Sequence, residues 1–385
     1  MKTLVLGGYG NFGARICRAL AEHAAIELLV AGRDGVRAQQ FAQALGGQAD
    51  GVAMDCTAPG FSQALAALGV ELVIHTAGPF QAQSYAVATG TAAAGAHYID
   101  LSDGRRFVCD FPQALDAVFR QAGRTAISGA STVPALSSAV VDHLAAGWQA
   151  LDVIDICIAP AQTAPRGRAT LAAVLGYCGK PVAVWRGGQW TRSPGWASPE
   201  RVAFKRLRPR IGALCDIPDL ELFPVRYGVR DRVMFRAALE VAASQRAFAL
   251  LAALSARGLL PHPERLAGLL DRVSGVLDPL GTALGGMVVR IEGVDATGRP
   301  ARRAWHLAAD DDHGPEIPCM AAILLARRIA GGDALPAGAM TAAGLLSLDA
   351  FAPGFSRWGM VTDIDDETPA DPRAAAVAQP SPGPT

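Results

Sequence analysis

The chain has 385 residues, 51% of them hydrophobic, and its 35 basic side chains balance its 35 acidic ones. That length allows two buried cores, and zero formal charge gives no electrostatic reason to expect nucleic acid or an anionic membrane as a partner. Apolar runs are interrupted by charge, Gly or Pro before the roughly 18 residues that a span requires, which predicts no stable membrane insertion. Seven cysteines without CxxC spacing predict reduced thiols in the cytoplasm rather than a disulfide frame, and no metal site.

The apolar run Thr3–Leu6 reads as a buried strand, and its place at the start predicts no signal peptide ahead of the fold. It turns at once into Gly7-Gly8-Tyr9-Gly10-Asn11-Phe12-Gly13 and then a helix over Ala14–His23. Strand, glycine-rich turn and helix in that order suit a dinucleotide. Gly8 is expected to allow the tight turn, Gly10 to let the backbone meet a pyrophosphate, and Gly13 to let the helix pack close to the strand. The free N–H groups of the helix N-terminus would face the phosphates.

Further strands are predicted at Glu27–Ala31, Gly51–Met54, Leu72–Thr76, Tyr98–Leu101 and Thr125–Ser128. Helices are predicted between them near Val36–Ala44, Phe61–Leu68, Ser84–Ala94 and Phe111–Gln121. Six strands in this rhythm predict an α/β, doubly wound parallel sheet of the Rossmann type over residues 1–135, with its ligand at the carboxyl ends of the strands. After Pro134 the rhythm changes. Asp152–Ile158, Ala183–Trp190 and Met287–Val294 alternate like strands. Asp295–Gly298 joins the last of them to Ala301–Leu307 as an antiparallel hairpin. Leu239–Arg257, Pro263–Leu277 and Glu316–Ala330 have helical spacing, and the third could return to the first domain. This predicts a second, α+β domain over 136–350 with helices on one face. Thr368–Thr385, rich in Pro, Ala and Ser, is expected to be disordered.

Where an NAD-specific domain would place an acid after the second strand, this chain has Ala31-Gly32-Arg33-Asp34. Arg33 can meet a 2′-phosphate and stack on adenine, so NADP is favoured over NAD. The alternative makes Arg33 a solvated charge and gives the ribose to Asp34. Asp55 either approaches the adenine amino group or caps the turn that follows it. The fourth strand ends in His75-Thr76-Ala77-Gly78-Pro79-Phe80, whose small residues let the backbone pass close to a cofactor. His75 is either an acid–base group or a strand residue facing a helix. The fifth strand starts at Tyr98, which reads as structural, and carries Asp100, Ser102 and Asp103 to the same edge; the sixth ends in Ser128-Gly129-Ala130-Ser131-Thr132-Val133-Pro134. Asp103, Tyr98 and His75, in that order, are the candidate proton donors.

Other constellations point elsewhere. No tyrosine has lysine four residues on, and Tyr177 is followed by Lys180 at three, so the Tyr-x-x-x-Lys pair is missing. There is neither HExxH nor GxxxxGK[ST]. Arg166-Gly167-Arg168 and the Arg206–Arg210 cluster could grip an anion or form solvated surface. Trp185, Trp190 and Trp196 could wall an apolar pocket or belong to a core or interface. Asp310-Asp311-Asp312 reads as a solvated turn.

GGYGNFGARICRAL, AGRD, HTAGPF and AGAHYIDLSDGRRFV, in this order over residues 1–135, resemble the saccharopine dehydrogenase-like family, NADP-binding domain type. Gly286–Val294, Trp305-His306-Leu307 and Gly314–Pro318 are similar to its C-terminal part more loosely. The resemblance implies a Rossmann domain followed by a substrate and dimerisation domain, and hydride exchange between a nicotinamide and a small-molecule substrate. In lysine-pathway members that substrate is a secondary amine; other members act on other substrates, so the substrate here stays open. The glycines, Arg33 and the loop Ala77, Gly78, Pro79 carry over as cofactor contacts, with a homodimer as the option the second domain offers. The competing reading is a non-catalytic NADP(H)-binding scaffold or redox sensor.

Overall fold

The computed structural model describes residues 1–81, 83–164, 168–197, 199–333 and 335–367; the predicted tail and Arg166-Gly167 lie outside them. The first 135 residues contain β1 (Lys2–Leu6), α1 (Asn11–Ala21), β2 (Glu27–Gly32), α2 (Gly35–Leu45), β3 (Ala49–Ala53) and α3 (Phe61–Ala67). They continue with β4 (Leu72–His75), α4 (Ala86–Ala93), β5 (His97–Asp100), α5 (Arg105–Gln121) and β6 (Thr125–Ser128). The six strands pair in parallel in the order 3-2-1-4-5-6, the doubly wound arrangement whose crevice opens between β1 and β4.

The apolar runs are continuous because both faces of this sheet are covered. Val5, Val30, Ile74 and Ile127 pack on Ile16 and Leu20 of α1 and Ala38 of α2. Leu4, Leu29, Val73 and Tyr98 pack the other way, with Phe61 of α3, Val87 of α4 and Phe111 of α5.

A turn at Thr132–Leu136 leads through α6 (Ser137–Leu144) into the second sheet. Its strands are β7 (Ala150–Ala159), β8 (Pro181–Arg186), β9 (Gln189–Pro194), β10 (Glu200–Val202), β11 (Arg210–Leu214), β12 (Arg232–Leu239), β13 (Gly285–Val294) and β14 (Pro300–Ala309). The helices between are α7 (Arg168–Tyr177), α8 (Asp219–Tyr227), α9 (Ala242–Ala256) and α10 (Ala267–Ser274). After α11 (Ile317–Ala330) come β15 (Gly338–Thr341), α12 (Leu348–Arg357) and β16 (Val361–Glu367). The mixed sheet runs 10-11-12-7-13-14-16, with β8 and β9 beside β12. One face packs Ile154, Ile156, Val289 and Trp305 against the helices; the other packs Cys157 and Val288 against Phe204 and Leu207.

Several expectations change. Ala183–Trp190 is not one strand but most of a hairpin. Gly187 and Gly188 have φ of +63° and +68°, which suits a two-residue turn that reverses the chain between Trp185 and Trp190. Leu239 ends β12 rather than opening a helix, and Pro263–Leu277 is broken into a short 3₁₀ turn, α10 and a second 3₁₀ turn that ends at Leu280 beyond Pro279. The first sheet gains a seventh strand, since β15 pairs in parallel with β6 although 136–350 was assigned to the second domain. α11 also returns: Cys319 donates its Sγ–H to the Phe12 carbonyl at 3.6 Å and Arg327 donates to the Ala19 carbonyl at 2.8 Å. Among the described residues no helix is long and apolar enough to cross a membrane.

α5 begins six residues before its predicted start at Phe111, and its first turn joins the two domains. Arg105, with 7% of its side chain exposed, donates to Glu221 at 2.9 Å, Asp216 at 3.1 Å and the Ala183 carbonyl at 2.7 Å. Arg106 also reaches Glu221 but is 60% exposed. Removing a buried cation strands its partners, whereas an exposed pair is weakened by solvent. Arg105→Ala is therefore expected to lower the unfolding free energy by about 2–3 kcal/mol and Arg106→Ala by less than about 1 kcal/mol. Urea titrations of both variants check this, and equal losses would contradict it.

Candidate functional site

The site begins at the corner between β1 and α1. Gly7, with φ +77°, is the residue that needs the left-handed backbone, rather than Gly8. Gly8 is required for closeness instead: a Cβ there would meet Val30 Cγ1 and the Val5 carbonyl oxygen, both at 2.9 Å. Gly13 behaves as expected, for a Cβ would lie 2.1 Å from the Gly7 oxygen. Gly10 is the N-cap of α1 and no side chain caps the helix, so the first-turn N–H groups of Asn11, Phe12 and Gly13 have no side-chain partner. Bare backbone donors at a helix N-terminus are complementary to phosphate oxygens.

A cleft of about 950 Å³ passes this corner, with Arg33, Asp55 and Thr57 at one end and Ala77 and Gly78 at the other. At the first end Arg33 is exposed and has no ion-pair partner among the described residues. Asp34 is engaged locally: its carboxylate accepts from the Arg37 N–H at 3.0 Å and caps α2, while its own N–H donates to the Tyr9 hydroxyl at 3.1 Å. The Arg37 guanidinium lies 4.8 Å from the centre of the Tyr9 ring. Arg37 is a second cation at this end that the sequence reading passed over; its signal was an arginine one turn into the helix that Asp34 caps. Asp55 closes its own turn, accepting from Thr57 N at 2.9 Å and Thr57 Oγ1 at 2.7 Å. Those bonds, aided by Arg33, hold its carboxyl below the usual range.

At the other end Gln83 braces the loop after β4, donating to the carbonyls of Ala77 at 2.8 Å and Pro79 at 3.0 Å. The three candidate proton donors separate sharply here. His75 is 1% exposed, its Nδ1 lies 3.0 Å from the Tyr98 hydroxyl, and its ring meets Phe80 edge-on. Burial pushes its pKa down to about 4, so it is neutral near pH 7. Tyr98 is fully buried, stacked on Phe111, and held well above its ordinary pKa by burial and then by Asp100. Both are core groups removed from the cleft surface.

Asp100 is also fully buried. Its Oδ1 accepts from Ser102 N at 2.9 Å, Gly129 N at 2.9 Å and Ser128 Oγ at 3.0 Å, tying the loops after β5 and β6 together. Asp103 alone of this group is exposed. Its Oδ1 accepts from Gln81 Nε2 at 3.1 Å, which joins the loops after β4 and β5. Crowding by protein on several sides raises its carboxyl above the usual range although it keeps solvent contact.

Asp103 also acts on the second domain. Its charge adds to the burial that raises both the Tyr177 phenol and the Cys215 thiol. Tyr177, at the end of α7, is half-buried. Sequence spacing offered it only as a failed Tyr-x-x-x-Lys pair; its nearness to Asp103 depends on how the two domains pack.

The remaining candidates serve the fold. Arg206 forms a two-pronged pair with Asp363, and Arg210 donates to the Pro160 and Leu284 carbonyls, so neither is simply solvated surface. Trp185 packs edge-on against Trp190, Arg105 lies over the Trp190 ring, and Trp196 packs on Phe248. Thr163 donates to Asp312 at 2.5 Å. All seven cysteines are unpaired, and no metal-holding group of side chains occurs among the described residues.

Burial raises Asp100 from 3.8 to about 6, so the folded chain binds its proton more tightly than the unfolded chain does. The sign follows from linkage: this group contributes most below pH 4, and the contribution is lost as pH rises toward 6. Asp100→Asn keeps an acceptor at Oδ1 and removes the titration. Its stability relative to the parent should improve by about 2–3 kcal/mol between pH 4 and pH 7. Urea unfolding across that range checks it; a difference that does not change with pH would refute it.

Residues 3–127 match the family model for the saccharopine dehydrogenase NADP binding domain. No curated protein matches the chain in sequence. Among solved structures, apo saccharopine dehydrogenase (L-Glu forming) from Saccharomyces cerevisiae is 13% identical, with TM-score 0.68 over 95% of this chain and 100% of that one. Homospermidine synthase from Legionella pneumophila, solved with NAD, is 11% identical, with TM-score 0.58 over 95% and 91%. At such identities the likeness is one of fold, and it covers both domains. Residues 3–127 are therefore a nicotinamide-dinucleotide-binding domain of the saccharopine dehydrogenase type, and the chain as a whole shares the saccharopine dehydrogenase fold.

Proposed function

We propose that the protein is an NADP(H)-dependent oxidoreductase acting on a C–N, C=O or C=C bond of a small molecule in the cytoplasm. The observation that carries this reading is the single cleft joining unpaired Arg33, the bare N-terminus of α1 and the Ala77–Gly78 loop. The cradle fits a dinucleotide, because side chains at Gly8 or Gly13 would collide with backbone that the pyrophosphate must approach. When bound, the nicotinamide supplies the hydride.

The chain's own residues do the rest. Gly7 to Gly13 hold the pyrophosphate on backbone N–H groups. Arg33 faces the 2′-phosphate, with Arg37 and Tyr9 behind it. Gln83 keeps the Ala77–Pro79 backbone in place, and Gln81 positions the Asp103 carboxyl at the mouth of the substrate space. Asp103 is the proton-holding group, because it is the only one of the three candidates with solvent contact and its raised pKa suits exchange nearer neutral pH. Holding two reactants at close range supplies the larger share of the rate.

Arg33→Ala should weaken NADPH by about 10- to 100-fold, the worth of one charge-assisted contact, while NADH changes by less than about threefold. Fluorescence titration with both nucleotides measures this, and equal losses would defeat the NADP assignment. For catalysis, NADPH oxidation is followed at 340 nm over imines, 2-keto acids and enoyl thioesters. Asp103→Asn is expected to lower kcat by about 100-fold on the accepted class with nucleotide affinity unchanged. Tight NADPH binding with no turnover on any class would support the scaffold or sensor reading instead.

A further inference from the structure

A second cavity, of about 700 Å³, lies between α1, α11 and α12 and shares no lining residue with the dinucleotide cleft. Leu45, Met320, Ile323, Leu324 and Phe351 give it an apolar floor. Four guanidinium groups stand around that floor against two carboxylates, Glu22 and Glu316. Arg357 takes Glu22 with two bonds of 2.8 and 2.7 Å, and Arg15 takes Glu316 at 2.8 Å.

The other two cations are unmatched. Arg18 is exposed and lies over the Phe41 ring, 5.4 Å from its centre. Arg327 gives one N–H to the Ala19 carbonyl, and its buried Nε has no hydrogen-bond partner. Among the described residues neither has a carboxylate within ion-pair distance. An apolar trough with two spare planar cations is complementary to a molecule with an apolar body and a single anionic end.

We propose that this groove binds a medium-length acyl carboxylate, with the chain on the Ile323–Leu324 floor and the carboxylate between Arg18 and Arg327. A bare anion would leave the floor wet, and an uncharged chain would leave both guanidiniums unanswered. The floor belongs partly to α11, which also touches the Phe12 carbonyl at the start of the dinucleotide corner. The site is nonetheless separate from the cofactor cleft, and the proposal stands whether or not the redox reading holds.

The test is calorimetric titration of the full-length protein with sodium hexanoate, octanoate and decanoate, with acetate, inorganic phosphate and decan-1-ol as comparisons. Affinity should rise about fourfold per methylene along the carboxylate series, as burial of each CH₂ requires. The Arg18→Gln/Arg327→Gln double variant should bind decanoate at least tenfold more weakly while binding NADPH as the parent does. Arg18→Gln alone, at an exposed position, should show part of that loss and serves if the double variant does not fold. The proposal is overturned if decanoate gives no heat. It is equally overturned if acetate, phosphate or decan-1-ol binds as tightly as decanoate, or if decanoate affinity is the same in parent and variants.

Discussion

The dinucleotide end of this molecule rests on a close approach between two stretches of backbone. α1 crosses the end of β1 so tightly that one extra carbon on Gly13 would fall 2.1 Å from the Gly7 oxygen. Everything at the dinucleotide end follows from that closeness. The helix can start directly at the strand end, its first N–H groups lie at the crevice between β1 and β4, and Gly7 must take the left-handed backbone to make the corner. What this corner offers is bare backbone N–H groups rather than side chains.

The carboxyl edge of the sheet then sorts its polar residues by burial. Asp100 and Asp103 are three residues apart and chemically identical, yet they do different work. Asp100 points into the protein, where three donors fix one oxygen and two loops are held to one another through it. Asp103 stands past the end of the strand, keeps water contact and accepts a hydrogen bond from Gln81. A buried carboxyl with one oxygen held by three donors is a tie between loops. An exposed one facing a second domain can exchange a proton.

The two domains are not simply joined in series. Arg105 reaches out of the first domain into Asp216 and Glu221 of the second. In the opposite direction α11 returns to pack beside α1, and β15 extends the first sheet past β6. The interface between the domains is therefore built from elements far apart in the chain. Tyr177 and Cys215, which feel the Asp103 charge, come from the second domain.

What the sequence by itself determined was the dinucleotide corner, the six-strand rhythm of the first domain and the hairpin between β13 and β14. Each is written in local pattern: glycines at steric pinch points, apolar runs for strands covered on both faces, and a polar turn between two alternating stretches. The likeness of the first domain to its family was legible for the same reason. Only the tertiary structure decided which of His75, Tyr98 and Asp103 meets solvent, because that depends on which neighbouring helices and loops cover each side chain. It also decided that α5 starts at Arg105, where partners from another domain hold its first turn, and that Gly338–Thr341 is a seventh strand. Four residues carry too little periodicity to announce a strand; a parallel neighbour already in place is what makes them one.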